Sequence, residues 1–162
     1  MLLVTGGAGF IGSNLVAALN EAGRTDVVVC DWLGHDGKWR NLAKRQLADI
    51  VPPHELFDWL QGRRLDAVIH LGAISETTAT DGDLVIATNF RLSLSLLDWC
   101  AAQAVPFIYA SSASTYGDGA EGFADDNSLV ALRRLKPMNL YGWSKHLFDM
   151  AVVARATEGG AM

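Results

Sequence analysis

The chain has 162 residues and a formal net charge of −5, and half of its residues are hydrophobic. This length fits one ordinary domain with a sizeable core, and this composition excludes a disordered chain. The acidic balance speaks against nucleic acid as a main partner, because phosphate binding needs clustered Lys and Arg. No basic segment precedes an apolar run at the start, and no run approaches the length of a membrane span. We therefore expect a cytoplasmic protein without membrane association.

The cysteines and histidines do not form a metal-binding pattern. Cys30 and Cys100 are far apart and lie in apolar surroundings, so we interpret both as buried small hydrophobic residues. His70 lies within an apolar run and is interpreted as a core histidine with a satisfied ring. The other three histidines lack the spacing of metal ligands. We predict no metal site.

Apolar runs of strand type alternate with stretches of helical periodicity along the whole chain. The pattern predicts an α/β fold with a Rossmann-like, doubly wound parallel sheet. Strands are predicted near residues 2–4, 27–30, 47–51, 66–71 and 106–110, and helices near residues 11–22, 55–60, 83–104 and 139–157.

Five predicted strands are one fewer than a complete dinucleotide-binding fold contains. We therefore expect residues 1–162 to be the N-terminal part of such a fold in a longer protein, with the sixth strand beyond Met162.

A glycine-rich turn, with Gly6, Gly9 and Gly12 at three-residue spacing, follows the first predicted strand and opens a helix. In dinucleotide-binding folds the first glycine permits the tight turn, and the second lets the backbone approach a pyrophosphate. The third allows the helix to pack closely on the strand. Free N–H groups at the helix start attract phosphate. The turn predicts a dinucleotide site, with a purely structural turn as the alternative.

Asp31 ends the second strand, at the distance from the glycine turn where an acidic residue binds the adenosine ribose. That carboxylate suits NAD and repels the 2′-phosphate of NADP. Lys38 and Arg40 follow in the next loop and could fold back to neutralise such a phosphate. An ordinary solvated loop is an equally good interpretation of these two basic residues.

Tyr141 and Lys145 are four residues apart in a predicted helix, so they share one face. A free phenol ionises only near pH ~10, so a tyrosine base at neutral pH needs a nearby cation. The Lys145 ammonium and a cationic nicotinamide ring could together supply it. Ser112, after the fifth strand, could hold a substrate oxygen. We predict Tyr141, Lys145 and Ser112 as catalytic residues.

Asn89 lies on the apolar stripe of the long predicted helix. A polar group in that position needs a hydrogen-bond partner. The ribose or amide region of a cofactor and a backbone carbonyl in the core are both open as that partner.

These motifs together resemble the extended short-chain dehydrogenase/reductase superfamily. The resemblance is carried by residues 5–12 (TGGAGFIG), residues 110–113 (ASSA) and the Tyr141/Lys145 pair. More narrowly, residues 72–82 (GAISETTATDG) and 109–117 (YASSASTYG) are similar to the ADP-L-glycero-D-manno-heptose 6-epimerase family. Asp31, Lys38 and Asn41 also fall where that family has them.

The narrower resemblance implies a set of NADP contacts, with NAD as a possible substitute. The family has a second basic residue where this chain has Pro53, and it usually has Asn where this chain has Trp32. The preference for NADP over NAD is therefore left open. The implied contact residues are Phe10, Ile11, Asp31, Trp32, Lys38, Leu71, Gly72, Ala73, Ile74, Ser75, Asn89 and Lys145.

The resemblance also implies an activity: epimerisation of ADP-D-glycero-D-manno-heptose at C6 by transient oxidation, which supplies heptose for lipopolysaccharide. ADP-heptose would be the substrate, Tyr141 an acid/base residue assisted by Ser112, and the full-length protein a homo-oligomer. The family's second acid/base, a lysine, and its substrate domain would lie beyond Met162. Residues 1–162 would then be the N-terminal NAD(P)-binding Rossmann domain, inactive on its own. The alternatives are another sugar-nucleotide 4-epimerase or 4,6-dehydratase, and a non-catalytic NAD(P)-sensing module.

Overall fold

A computed structural model describes residues 1–159 of the chain. The backbone divides into two compact units. The first contains Met1–Gly72 and Trp99–Ala110, and the second contains Ala73–Asp98 and the chain from Ser111 onward.

The first unit is built on a five-stranded parallel sheet in the order β3-β2-β1-β4-β5. Its central strands consist almost entirely of buried apolar residues, as in a sheet covered on both faces. This strand order is that of Rossmann-like folds, and it confirms the predicted fold class. The strands are β1 (Leu2–Thr5), β2 (Val27–Cys30), β3 (Asp49–Val51), β4 (Ala67–His70) and β5 (Phe107–Tyr109).

The helices of the first unit are α1 (Phe10–Glu21) and α2 (Leu56–Leu60), and two 3₁₀ turns cover Lys38–Asn41 and Pro53–Glu55. Helix α1 contributes Val16 to a core that it shares with Val4 of β1 and Val29 of β2, all fully buried. Burying a Val or Leu side chain contributes about 1.5–3 kcal/mol. This cluster therefore holds the glycine turn between β1 and α1 in a fixed position.

One helix runs without interruption from Gly82 to Gln103, but it is not α-helical throughout. It consists of α3 (Gly82–Val85), a π-helical turn (Ile86–Arg91) and α4 (Leu92–Gln103). The sequence pattern predicts a uniform α-helix here, and the π turn is a difference. A π turn widens the helix by one residue and is often found at functional sites. This one carries the buried Asn89.

The rest of the second unit contains two further helices and a 3₁₀ turn. The predicted loop over residues 111–128 contains the turn Ala113–Tyr116, and α5 (Leu129–Leu132) follows it. The sequence pattern does not predict α5, which begins where the Ser128 hydroxyl accepts a hydrogen bond from the N–H of Ala131. The last helix, α6 (Leu140–Gly159), confirms the predicted one.

The interpretations of the cysteines and of His70 are confirmed. Cys30 and Cys100 are both buried, and burial raises the pKa of their thiols to about 12 and about 11. His70 is 1% exposed, its Nδ1 lies 2.6 Å from the Thr5 hydroxyl, and its ring stacks on Phe107. Among residues 1–159, no group of three or more His, Cys, Asp or Glu side chains could hold a metal ion.

The helix Gly82–Gln103 is long and apolar enough to cross a membrane, with a mean hydropathy of 1.2. Core helices of soluble proteins pass the same test of length and composition. Its buried Asn89 and Ser93 are hydrogen-bonded within the protein, so the helix has a packing role in the second unit.

Candidate functional site

Close backbone contacts within the first unit fix the glycine turn in place. Gly6 has φ +68°, and a Cβ on it would lie 2.7 Å from the N and Cα atoms of Gly72. The same region is tied by Thr5, whose hydroxyl accepts a hydrogen bond of 3.0 Å from the Gly72 N–H. The ends of β1 and β4 therefore meet at a point where only a glycine fits.

Helix α1 begins at this turn without a side-chain cap. Gly9 is its N-cap residue, and no acidic residue lies in the first turn. Phe10 and Ile11 are 85% and 67% exposed, although both are large and apolar. An uncapped helix start offers free N–H groups and partial positive charge to an anion. The residues therefore fit a pyrophosphate, with Phe10 and Ile11 available to cover an apolar part of a ligand.

Asp31 lies at the end of β2 with both carboxylate oxygens engaged. Oδ2 accepts a 2.9 Å hydrogen bond from the Ala8 N–H, and Oδ1 accepts one of 2.6 Å from Lys38 Nζ. Lys38 also donates to the Trp32 carbonyl over 3.2 Å. The loop therefore brings Lys38 back to Asp31. Asp31, the residue expected to bind ribose, is also bonded to the glycine turn through Ala8.

Arg40 and Trp32 take other positions around this pair. The Arg40 guanidinium lies over the ring of Trp39 at 5.7 Å, so only Lys38 of the two basic residues bonds to Asp31. Trp32 is 56% exposed and stacks on His54 with ring centroids 5.1 Å apart. This stacked pair occupies the region where the resembled family has Asn and a basic residue.

The segment after β4 continues from Leu71 and Gly72 in the first unit to Ala73, Ile74 and Ser75 in the second. Leu71 to Ile74 are partly buried and Ser75 is exposed.

Asn89 binds this segment through its backbone. Its Oδ1 accepts from the Ile74 N–H at 2.8 Å, and its Nδ2 donates to the Ile74 carbonyl at 2.9 Å.

Asn89 also connects Ile74 to helix α6. Its Nδ2 donates to the Ser144 hydroxyl at 2.9 Å, and that hydroxyl donates to the Tyr141 carbonyl at 2.7 Å. Asn89 and Ser144 are 1% and 0% exposed. The structure shows the backbone partner, and a contact of Asn89 with a cofactor stays a prediction. Asn89 therefore fixes the loop and the first turn of α6.

Tyr141 and Lys145 lie one turn apart on α6, as the spacing predicts. Tyr141 is partly buried and Lys145 is 3% exposed. Burial lowers the pKa of the Lys145 ammonium, and the negative charge of Asp149 opposes that effect. A tyrosine base needs a nearby cation, and Lys145 is the candidate on this helix face.

Ser112 stands at the start of the 3₁₀ turn Ala113–Tyr116, and its hydroxyl accepts a 3.1 Å hydrogen bond from the Ser114 N–H. Helix α6 approaches this turn at Gly142, where a Cβ would lie 2.6 Å from the Ser114 carbonyl oxygen. The turn with Ser112 and the helix with Tyr141 are therefore packed backbone to backbone.

Several contacts in these arrangements were not predicted from the sequence. Asn41, named above only for the family resemblance, donates to the Ala8 carbonyl over 2.8 Å and secures the glycine turn. Ser111 donates to the Asp149 carboxylate over 2.5 Å. Gly142 is necessary only because of a close approach that no local pattern reveals. The position of Asp149, one turn after Lys145, was the one signal available in the sequence.

The comparison with protein families gives a match over nearly the whole chain. The model of the NAD dependent epimerase/dehydratase family matches residues 2–162. The chain belongs to this family.

Relatives of this family member are about twice its length. An ADP-L-glycero-D-manno-heptose-6-epimerase of Nitratidesulfovibrio vulgaris is 47% identical over 154 residues, which are 93% of this chain and 47% of the relative. One from Fusobacterium nucleatum is 44% identical over 153 residues, with 92% and 46% covered. The chain thus spans about half the length of the curated relatives it matches.

Solved structures of related enzymes have a similar backbone. The Helicobacter pylori ADP-L-glycero-D-manno-heptose-6-epimerase is 32% identical with a TM-score of 0.79, and the match covers 95% of this chain and 50% of that one. The Thermus thermophilus UDP-glucose 4-epimerase complex with NAD is 26% identical with a TM-score of 0.72, covering 99% and 52%.

Proposed function

We propose that the protein to which this chain belongs is an ADP-glyceromanno-heptose 6-epimerase that uses a bound nicotinamide dinucleotide. The observation that carries the proposal is that Tyr141 and a buried Lys145 share one face of α6. The same chain has a glycine turn that leads into a helix without a side-chain cap. A module that only senses NAD(P) needs no acid/base pair, so this pairing favours an enzyme.

The first unit is proposed to bind the cofactor. The backbone of the glycine turn and the start of α1 would hold the pyrophosphate, and the Asp31 carboxylate would accept hydrogen bonds from the ribose. Lys38 supports NADP, because its ammonium could turn from Asp31 to a 2′-phosphate; without such a phosphate the Asp31–Lys38 pair remains compatible with NAD. A nicotinamide ring supplies a reversible hydride acceptor, so epimerisation causes no net oxidation.

Three residues of the second unit are proposed to act on the substrate. The Tyr141 phenolate would take the proton of the C6 hydroxyl as that carbon is oxidised, and a second acid/base residue would protonate the oxygen when the hydride returns to the other face. The Lys145 ammonium would favour the phenolate, and the Ser112 hydroxyl would hold the reacting oxygen. Proton transfer by a positioned side chain contributes typically about 10²–10⁴-fold to rate.

ADP-heptose is proposed as the substrate because both curated relatives cited above carry that activity in their names. Supply of heptose for lipopolysaccharide, cytoplasmic location and assembly into homo-oligomers belong to the same proposal. UDP-sugar epimerisation is the second candidate, because the family also includes UDP-glucose 4-epimerases of similar backbone.

The test is epimerisation of ADP-D-glycero-D-manno-heptose by the protein in which this chain occurs, beside UDP-glucose and UDP-N-acetylglucosamine. We expect turnover of the heptose alone and a loss of about 10²-fold or more in Tyr141→Phe. Tyr116→Phe is the matched control, because its ring packs edge-on against Phe123 and phenylalanine preserves that contact, with loss only of a 3.4 Å hydrogen bond to the Ala124 carbonyl. Turnover of a UDP-sugar instead, or full activity in Tyr141→Phe, contradicts the proposal. Cofactor binding without any turnover would identify a sensing module.

A further inference from the structure

Asp149 is a buried carboxylate that the proposed chemistry does not use. It is 9% exposed and lies one helical turn after Lys145 on α6, where the two side chains share a face. Buried carboxylates are rare unless a charge or hydrogen bond compensates them. The two residues are therefore candidates for a functional pair inside the second unit.

The charge on Lys145 depends on this neighbour. Burial lowers the pKa of Lys145, and the Asp149 carboxylate is the charged group that raises it again. Asp149 acts in the same direction on His146, the next residue along α6. The elements packed against α6 also carry the titratable or charged side chains of Asp83, Arg91 and Tyr116.

Asp149 also holds the segment that carries the candidate substrate-binding serine. The Ser111 hydroxyl donates a 2.5 Å hydrogen bond to Asp149 Oδ2, and Ser112 is the next residue. A hydrogen bond to a carboxylate is stronger than one between neutral groups and fixes the position of its donor. One carboxylate thus contacts the Ser112 segment and acts electrostatically on Lys145.

We propose that Asp149 is a positioning residue of the reaction: it keeps Lys145 cationic beside Tyr141 and, through Ser111, aligns the segment of Ser112 with helix α6. This role rests on the proposed function. A structural anchor alone would explain the bond to Ser111 but not the placement of the carboxylate one turn from a buried lysine.

The first experiment follows the lysine directly in the 162-residue chain. Isotope-edited NMR of lysine Cε, assigned with Lys145→Arg, is recorded between about pH 6 and pH 12 for the wild type and for Asp149→Asn. We expect Lys145 to lose its proton at lower pH in Asp149→Asn. Ser111→Ala, which removes the hydrogen bond and keeps the carboxylate, should leave the Lys145 titration where it is. So should Asp98→Asn, which removes an exposed carboxylate paired with Arg155.

The second experiment measures the pH profile of kcat/KM in the complete enzyme. We expect the alkaline limb to move to lower pH in Asp149→Asn, with a loss of about tenfold or more there relative to neutral pH, and to return in Asp149→Glu. A merely structural role predicts an equal loss at every pH. The NMR arm needs no turnover, so it distinguishes failure of this inference from failure of the proposed function.

An unchanged Lys145 titration in a folded Asp149→Asn chain would overturn the proposal. If that variant does not fold, the reciprocal measurement decides: Lys145→Met should raise the pKa of the Asp149 carboxyl relative to the wild type. An Asp149 titration that does not respond to the loss of Lys145 would also overturn it.

Discussion

Gly142 packs against Ser114 so closely that a Cβ at position 142 would lie 2.6 Å from the Ser114 carbonyl oxygen and 3.0 Å from the Ser114 Cβ. The contact joins the helix of Tyr141 to the 3₁₀ turn that begins at Ser112. Because the obstructing atoms include backbone, neither element can yield without moving a candidate catalytic residue. The glycine is therefore a spacer that sets the distance between them.

Replacing Gly142 by alanine should separate these two elements. We expect Gly142→Ala to lower the free energy of unfolding by about 1–3 kcal/mol, because overpacking outweighs the gain of about 1 kcal/mol in helix propensity. Urea unfolding measures this effect. Gly82→Ala is the control, because a Cβ at the start of α3 meets nothing within 4 Å. Equal stability of the two variants would show that the contact at Gly142 costs nothing.

Lys38 should determine how strongly the adenosine end of the proposed cofactor site binds a 2′-phosphate. A charge-assisted hydrogen bond contributes about 1.5–3 kcal/mol, so Lys38→Met should weaken NADP binding about tenfold or more and weaken NAD binding less. Titration calorimetry of the chain with each cofactor measures both affinities. Arg40→Met removes a cation that lies on Trp39 and should leave the ratio unchanged. A similar loss for both cofactors would mean that Lys38 only supports Asp31.

Asn89 should be essential to the second unit for structural reasons. In Asn89→Leu the Ile74 N–H and carbonyl lose their partners, and each unpaired buried group costs about 1–3 kcal/mol. We expect a loss of about 2–5 kcal/mol in the free energy of unfolding. The same substitution at Asn14, an exposed residue of α1, should change stability by no more than about 0.5 kcal/mol. Comparable losses at both positions would contradict the assignment.

Ion pairs at the start of β1 should make the stability of the fold depend on pH. Arg24 donates hydrogen bonds to Asp26 and Asp66, and this lowers the pKa of both carboxyls; for Asp66 the Met1 amino group contributes more. A carboxyl with a lowered pKa stabilises the folded state above its unfolded pKa, and that stabilisation disappears as the pH falls through the folded value.

We therefore expect Arg24→Met to reduce stability at neutral pH and to differ little from the wild type in strong acid. Chemical unfolding over a pH series checks this expectation. Arg63→Met serves as the reference, because Arg63 stacks on Trp59 and donates to its carbonyl, so its contribution should not follow carboxylate titration. A loss of stability in Arg24→Met that stays constant with pH would refute the ionic explanation.

The sheet was predictable because most of its strands are short, largely apolar runs, and β2 was located to the residue. The π turn was not, because a widened turn leaves the apolar periodicity of a helix almost unchanged. Helix α5 was missed for a different reason. Four residues give too little periodicity, and only the cap at Ser128 marks the beginning.

The candidate site was predictable where function requires particular residue types in sequence, as at Gly6 or Tyr141. It was not where function depends on contacts between distant segments. Whether Lys38 reaches Asp31 depends on how its loop reverses, at Gly37 with φ +76°. The partner of Asn89 is the backbone of Ile74, in an irregular segment whose course no local pattern predicts.

Because of the π turn at Ile86–Arg91, the second unit depends on how many residues this helix contains as well as on which residues they are. Successive residues of an α-helix are about 100° apart around its axis. Asn89 and Leu96 are both buried, so the number of residues between them must keep both on the packed side of the helix. The length of this helix is therefore constrained as tightly as the amide that it carries.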